Sequence, residues 1–114
     1  MNNIELDKTV RALRRESRKG AAIWSALAED LDRSKRSRVA VNLSSINRHS
    51  AEGDVVAIPG KVLGSGSITH PVTVAAFSFS STAIEKIKKA EGRAIGLKEL
   101  IMDGTKPSKV KILK

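Results

Sequence analysis

The chain has 114 residues, of which 40% are hydrophobic, enough for one domain with a buried core that needs neither disulfides nor metal. It carries 21 Lys and Arg against 12 acidic residues, so its net charge of +9 favours a polyanion as partner, either nucleic acid or an anionic membrane surface. The absence of cysteine excludes disulfides and thiolate zinc sites, and two histidines are too few for a metal cluster. No apolar stretch approaches the roughly 20 residues of a membrane span, and the opening MNNIELDK lacks the apolar core of a secretory signal.

The positive charge is concentrated towards the two ends of the chain. Residues 1–40 carry a net charge of +4 and residues 81–114 carry +5, whereas residues 41–80 are neutral. The neutral middle is also apolar and interrupted by glycines. We therefore expect it to form the core, with basic elements around it.

Residues 4–18 are predicted to form the first helix. At about 100° per residue, Leu6, Val10 and Leu13 share one face that can pack on protein. A second face, roughly 120° away, carries arginines at spacings i, i+3, i+4 and i+7. Most charged helix faces are simply solvated, but this one has almost no acid to neutralise it, so we interpret it as a polyanion-binding surface. Its candidate residues, with the adjacent lysine, are Arg11, Arg14, Arg15, Arg18 and Lys19.

A second helix is predicted for residues 21–32, after a break at Gly20. Trp24 lies in its apolar stripe beside Leu27 and Leu31, which favours a core position over stacking on a base. The chain has no Tyr and only two Phe, so a recognition surface built on aromatic stacking is not indicated.

The sequence DRSKRSR, residues 32–38, combines basic residues with serines and has no apolar anchor. Alone, such a segment should be mobile, because it has little to bury and repels itself. We interpret Lys35, Arg36 and Arg38 as part of an arm that becomes ordered on RNA. A solvated linker between helices is the alternative interpretation.

From residue 39 the pattern changes to short strands and helices. Residues 55–58 are predicted to form a strand that ends at Pro59 and Gly60, and residues 61–63 a separate short strand. Residues 72–79 are predicted to form a longer strand that is apolar on both faces, as expected for a central strand covered on both sides. One face has Val72, Val74 and Ala76, and the other has Ala75, Phe77 and Phe79.

The last third of the chain is predicted to alternate helices and short strands. Thr82 and Glu85 fit a capping box for a helix that Gly92 terminates. The lysines of this helix are expected to stay outside. A strand is predicted near residues 93–95 and a helix near 97–102, and the alternating tail KVKILK is typical of an edge strand.

The sequence PGKVLGSG, residues 59–66, raises the alternative of a small nucleotide-using enzyme. A P-loop has its lysine after the last glycine, whereas Lys61 stands before it, and a dinucleotide fingerprint needs a third glycine before a helix. No G-x-S-x-G elbow frames a nucleophile. We therefore predict that the chain is not an enzyme, and that these glycines form a tight turn close to RNA, with Lys61 and His70 beside it.

Residues 41–83 carry a more specific pattern. The stretches VNLSSINR, VVAIPGKVLGSG and THPVTVAAFSFSSTA resemble the ribosomal protein family called L-eighteen-e, the archaeal and eukaryotic relative of bacterial ribosomal protein L-fifteen. The resemblance implies a single α/β domain, described for the family as an irregular ββα superhelix. That core is expected in residues 39–114, with a basic helical region in residues 1–38 packed on it.

The resemblance also implies a place in the large ribosomal subunit, in the cytoplasm, bound to ribosomal RNA and next to other ribosomal proteins. It implies no catalytic residue, cofactor, metal or small-molecule substrate. The chain lacks the glycine- and arginine-rich extension of the bacterial relative and is shorter than eukaryotic members, which favours an archaeal origin. Basic residues in or beside the matched motifs, Arg48, Lys61 and His70, are assigned to RNA contacts. A basic adaptor that binds acidic proteins is the alternative outside the RNA-binding class.

Overall fold

The chain begins with two helices joined by a short turn. The computed structural model describes residues 4–32 and 39–114. Helix α1 covers Ile4–Ser17 and helix α2 covers Ala22–Leu31, which confirms both predicted helices to within about a residue at each end. Gly20, in the turn between them, has a φ of 112°, a backbone conformation that residues with a Cβ rarely adopt.

The apolar stripes of these two helices face each other and the sheet. Leu6, Val10 and Leu13 of α1 are buried, as the helical spacing predicted. Trp24 and Leu27 of α2 are buried as well, so the core position predicted for Trp24 is confirmed and its ring is not free to stack on a base.

After residue 38 the chain alternates between strands and short helices. Three of the described helices follow a strand almost directly. The chain has to cross over one face of the sheet before it can form the next parallel strand, and a helix makes that crossing. The elements are β1 Val39–Asn42, α3 Leu43–Arg48, β2 Val55–Leu63, β3 Thr73–Phe79, α4 Ser81–Lys89, β4 Arg93–Gly96, α5 Leu97–Met102, a 3-10 turn at Pro107–Lys109 and β5 Val110–Ile112.

The five described strands form one parallel sheet. Its order is β1-β2-β3-β4, and β5 also pairs with β2. The pairs Val55↔Val110 and Val39↔Gly60 show that β5 and β1 pair with the same side of β2. Strand β5 pairs with the first half of β2 and β1 pairs with the second half. A parallel sheet needs helices on both faces, and the chain supplies them.

Two apolar clusters cover the two faces of the sheet. The first core cluster joins α1, α2 and α5 to strand residues such as Ala57 and Ala75. The second core cluster joins α3 and α4 to the alternate residues Val74 and Ala76. The prediction of a central strand apolar on both sides is confirmed for β3, and the chain is a single α/β domain with N-terminal helices. The boundary at residues 38/39 stays a prediction.

Phe79 was assigned to the wrong side of β3. Strict alternation places it with Ala75 and Phe77, but it packs against the second core cluster, whereas Phe77 packs against the first. Phe79 is the last residue of β3 and pairs with Val62, beyond the point where the register between β2 and β3 shifts. A shift of this kind increases the local twist, so period-two alternation fails there.

The prediction of two separate strands around Pro59 and Gly60 was wrong, because β2 runs through both residues. Ile58 pairs with Ala76, but Lys61 pairs with Ser78, so β2 carries one extra residue at this point. Such a bulge leaves a residue outside the hydrogen-bond ladder, and it can accommodate a proline, which has no N–H to donate.

The start of α4 also differs from the prediction. The side chain of Ser80, rather than Thr82, caps the helix by accepting a hydrogen bond from the backbone N–H of Ala83 at 3.2 Å. The helix starts at Ser81, one residue after the cap, so Thr82 lies within its first turn.

Helix α4 ends in a left-handed residue that is not glycine. Glu91 has a φ of 64°, and its N–H donates to Lys88 O while the N–H of Gly92 donates to Ile87 O. This pattern of two bonds is the Schellman motif, in which glycine usually takes the left-handed position. Gly92 has another role, because a Cβ there would lie 2.4 Å from Val72 O.

Glu91→Gly should therefore stabilise the protein. This conformation costs a residue with a Cβ about 1–2 kcal/mol. Glycine avoids that cost, but part of the gain is cancelled because glycine loses more chain entropy on folding. We expect the free energy of unfolding to rise by about 1 kcal/mol, or Tm by about 4–8 °C, in thermal unfolding. Glu91→Ala, which removes the charge but keeps a Cβ, should gain much less; an equal gain would contradict the backbone explanation.

Candidate nucleic-acid interface

Three arginines of α1 and Arg18 in the turn that follows it line one hollow on the surface of the protein. Arg11, Arg14, Arg15 and Arg18 are all exposed, and they border a space of about 250 Å³, here called the arginine hollow. The opposite side of α1 is held in the first core cluster through Leu13 and its neighbours. Helix α1, fixed on one side, and the turn that follows it therefore present four guanidinium groups together on the other side.

Most of this charge is not neutralised by residues that the structure describes. Arg14 Nη2 lies 3.0 Å from Asp32 Oδ2, with both side chains about half exposed. In the described ranges, residues 4–32 and 39–114, Arg11, Arg15 and Arg18 make no ion pair. Guanidinium groups left unpaired in this way can bind phosphate through two N–H groups at once.

Two lysines flank the arginine hollow along the chain. Lys19 Nζ lies 3.4 Å from Glu16 Oε1, so its charge is partly neutralised. Lys8 is exposed and precedes Arg11 by three residues and Arg15 by seven, which places it on the same side of the helix. Lys8 was not among the predicted site residues, although this spacing could have identified it.

The basic segment after α2 includes Lys35, Arg36 and Arg38, which lie outside the described residues. The last described residue before it, Asp32, is the partner of Arg14. Asp32 therefore lies beside the arginine hollow. The interpretation of the basic segment as an RNA-binding arm stays a prediction.

The basic candidates from the matched motifs lie on other elements. Arg48 is exposed at the last residue of α3, and Lys61 is exposed on β2 just after its bulge. Neither belongs to the residues that line the arginine hollow. The structure therefore does not bring all the candidates together in one site.

His70 is half-buried and bonded within the protein. Ser50 Oγ donates its single proton to Ile46 O at 2.6 Å, so the 2.9 Å contact between Ser50 Oγ and His70 Nε2 requires His70 to be the donor. In the part of the chain that the structure describes, His70 Nδ1 has no hydrogen-bond partner. His70 thus joins the end of α3 to the loop before β3.

Asp54, just before β2, also forms hydrogen bonds that hold neighbouring elements together. Its Oδ2 accepts hydrogen bonds at 2.8 Å from Lys111 Nζ and from the backbone N–H of Ala51. These bonds, with a smaller contribution from nearby His70, hold the pKa of Asp54 below its usual value. Asp54 and Lys111 therefore tie β5 to the turn that precedes β2.

The glycines of residues 59–66 approach other parts of the protein rather than an open surface. An added Cβ at Gly60 would lie 1.9 Å from Val39 O, and one at Gly64 would lie 2.8 Å from Thr82 Cβ. Gly66, whose φ is 87°, would place a Cβ 2.5 Å from Ser44 Cβ. The tight turn in the prediction is thus accounted for by packing against β1, α3 and α4.

Lys86 of α4 holds in place residues 64–66, here called the glycine loop. Its Nζ donates to Gly64 O at 2.8 Å and to Gly66 O at 2.7 Å. The prediction that the lysines of α4 stay outside was therefore wrong for Lys86, which is half-buried. Lys86 is 22 positions from Gly64 and 20 positions from Gly66, so no local sequence signal identifies these contacts.

Two other kinds of site have no support in the structure. Across residues 4–32 and 39–114, no cluster of three or more His, Asp or Glu side chains could hold a metal ion. Over the same ranges, none of the helices combines the length and apolarity that crossing a membrane requires.

Comparison with known proteins gives a consistent family. The family model described as "Ribosomal proteins 50S-L15, 50S-L18e, 60S-L27A" matches residues 21–95. Large ribosomal subunit protein eL18 of Methanothermobacter thermautotrophicus is 46% identical over 112 residues, covering 97% of this chain and 93% of the relative. The same identity and coverage hold for eL18 of Methanococcus maripaludis. For eL18 of Sulfolobus acidocaldarius the identity is 42% over 101 residues, covering 89% and 83%.

These relatives are ribosomal proteins from archaea, in a family not known for enzymes. The nucleotide-using alternative for residues 60–66 therefore has no support from relatives, and the packing of the glycines explains their presence. The matched range includes β1, β2 and β3 and all but the last residue of β4. The chain therefore belongs to the ribosomal protein family that includes L15 and L18e, as the resemblance of residues 41–83 predicted.

Proposed function

We propose that the chain is a structural constituent of the large ribosomal subunit that binds ribosomal RNA and supports subunit assembly and translation in the cytoplasm. Its partners are large-subunit ribosomal RNA and neighbouring ribosomal proteins. Family membership supports the ribosomal role. The residues proposed to bind RNA are Arg11, Arg14, Arg15, Arg18, Lys19, Lys35, Arg36, Arg38, Arg48, Lys61 and His70.

The arginine hollow is the observation that carries this proposal. Three of its four guanidinium groups have no acidic partner in the described residues, and α1 is fixed to the core by its apolar side. From Arg11 to Arg18 the row is about 10 Å long, because a helix rises about 1.5 Å per residue. A row of that length can contact about three phosphates of one strand.

The mechanism is electrostatic, with the protein core as a rigid support. Each phosphate that binds Arg or Lys releases condensed counterions, which gives affinity without reading the base sequence. The sheet and its two core clusters keep the basic groups at fixed positions. The RNA that fits those positions is selected by its folded shape.

The remaining candidates are proposed to contribute to RNA binding in different ways. Arg48 and Lys61 are exposed and can bind phosphate directly. His70 donates from Nε2 to Ser50, which leaves Nδ1 as an acceptor that can bind an RNA hydroxyl but not a phosphate oxygen. Its main contribution is to position the loop before β3.

The salt dependence of RNA binding tests the proposal. If about six phosphates are neutralised, affinity for large-subunit ribosomal RNA should fall on the order of 10³-fold between about 50 and about 200 mM salt. Filter binding or fluorescence anisotropy with transcribed fragments measures this slope. A flat response would contradict the electrostatic mechanism.

Nuclease treatment separates the proposal from the adaptor alternative. If RNA holds the protein in large particles, RNA digestion should release it from them. Continued association with acidic proteins after complete digestion would instead favour the adaptor.

A further inference from the structure

A second basic hollow lies on α4, beside the glycine loop. It has a volume of about 320 Å³ and is here called the lysine hollow. Lys86 is half-buried at its side and Lys89, one turn further along the helix, is exposed. Its lining residues are Ser67, Ile68, Lys86, Lys89 and Ala90.

The charge of Lys86 is bonded but not neutralised. Its ammonium group donates to the carbonyls of Gly64 and Gly66, and within the described ranges it has no carboxylate partner. An ammonium group has three N–H donors, so one is left over after these two bonds. Lys89 likewise has no ion pair in the part of the chain that is described. A partly buried cation without a counterion favours the binding of an anion from outside.

The lysine hollow and the arginine hollow lie on opposite sides of the sheet. Helix α4 packs in the second core cluster through Ala83 and Ile87, whereas α1 packs in the first through Val10 and Leu13. The alternate side chains of β3 separate the two clusters. One continuous phosphate backbone bound along α1 therefore does not fill the lysine hollow without passing around the protein.

We propose that the lysine hollow binds phosphate groups of a second RNA segment, so that the protein joins two segments of ribosomal RNA across its sheet. This inference rests on the proposed function, and it assigns an RNA-binding role to Lys86 and Lys89. Lys86 contributes twice, because the bonds that shape the glycine loop also fix its ammonium group at the hollow. Lys89 adds a second, exposed cation.

Footprinting on large-subunit ribosomal RNA with Lys89→Glu tests this inference. Lys89 is exposed and makes no ion pair in the described chain, so folding should be unaffected. We expect two separate stretches of RNA to be protected by the unchanged protein, and Lys89→Glu to abolish protection of one of them while weakening overall binding about 10-fold. Lys106→Glu, an equal change of charge at an exposed residue outside both hollows, should abolish neither.

A second variant checks Lys86. Lys86→Gln should lose the same protected stretch as Lys89→Glu, and a thermal unfolding curve checks that the variant domain is still folded. The inference is overturned if Lys89→Glu leaves every footprint unchanged, if it removes the stretch that the arginine hollow protects, or if Lys89 crosslinks to a protein in place of RNA. Those results leave the proposed function intact, whereas absence of any footprint for the unchanged protein would contradict the proposed function itself.

Discussion

Replacing Arg11, Arg14, Arg15 and Arg18 together by Gln should weaken binding to large-subunit ribosomal RNA on the order of 100-fold at physiological salt. The slope of log affinity against log salt should also become shallower by about three to four, because each phosphate that an arginine no longer neutralises removes about one unit of slope. Gln keeps much of the aliphatic stem and a hydrogen-bonding end, so the weaker binding measures the charge. Anisotropy titrations at several salt concentrations give both quantities.

The same variant should remain folded. Arg14 forms the single ion pair of the described part of the hollow, and an exposed pair of this kind contributes about 0–1 kcal/mol. The matched comparison is the double variant Arg11→Gln, Arg15→Gln against Lys106→Gln, Lys109→Gln, which changes the net charge equally. If both double variants bind RNA equally well, net charge rather than the arginine hollow determines affinity.

Gly60→Ala should destabilise the protein severely, because the sheet leaves no room for a side chain at this position. A Cβ there would lie 1.9 Å from Val39 O and 2.8 Å from Val39 C, both backbone atoms of β1. Strands β1 and β2 would have to separate, and Val41 would leave the second core cluster. We expect the free energy of unfolding to fall by about 4 kcal/mol or more, or Tm by about 15 °C or more, in thermal or urea unfolding.

Gly96→Ala is the control for this change. Gly96 has a φ of −80°, and the nearest atom to an added Cβ is Glu99 Oε1 at 3.6 Å, an ordinary contact. Its unfolding free energy should stay within about 1 kcal/mol of the unchanged protein. Equal stability of the two alanine variants would show that β1 does not pack against Gly60 as described.

The helices and the burial of their apolar residues could be predicted from sequence because their signals are local. The period of Leu6, Val10 and Leu13 is visible within three turns, and the same spacing predicted the arginine hollow. Trp24 was assigned to the core because its neighbours at helical spacing are apolar. Each of these inferences needs only the geometry of one helix.

The arrangement of the sheet could not be predicted in the same way. Val55, in the middle of the chain, pairs with Val110 near its C-terminal end, and this pairing follows from the packing of the whole domain. Pro59 and Gly60 were interpreted as a strand end because a bulge has the same local signature as a turn. Lys86 was expected outside because its partners, the carbonyls of the glycine loop, are set by the tertiary fold.

Crosslinking in cells tests RNA binding through the arginine hollow most directly. Irradiated cells yield the RNA attached to the protein, which is sequenced, and the attached peptides, which are identified by mass spectrometry. We expect large-subunit ribosomal RNA to be strongly enriched and RNA to be attached to peptides that include residues between Arg11 and Lys19, in α1 and the turn after it. RNA without enrichment of the large subunit, or a complete absence of RNA on those peptides, would contradict this function.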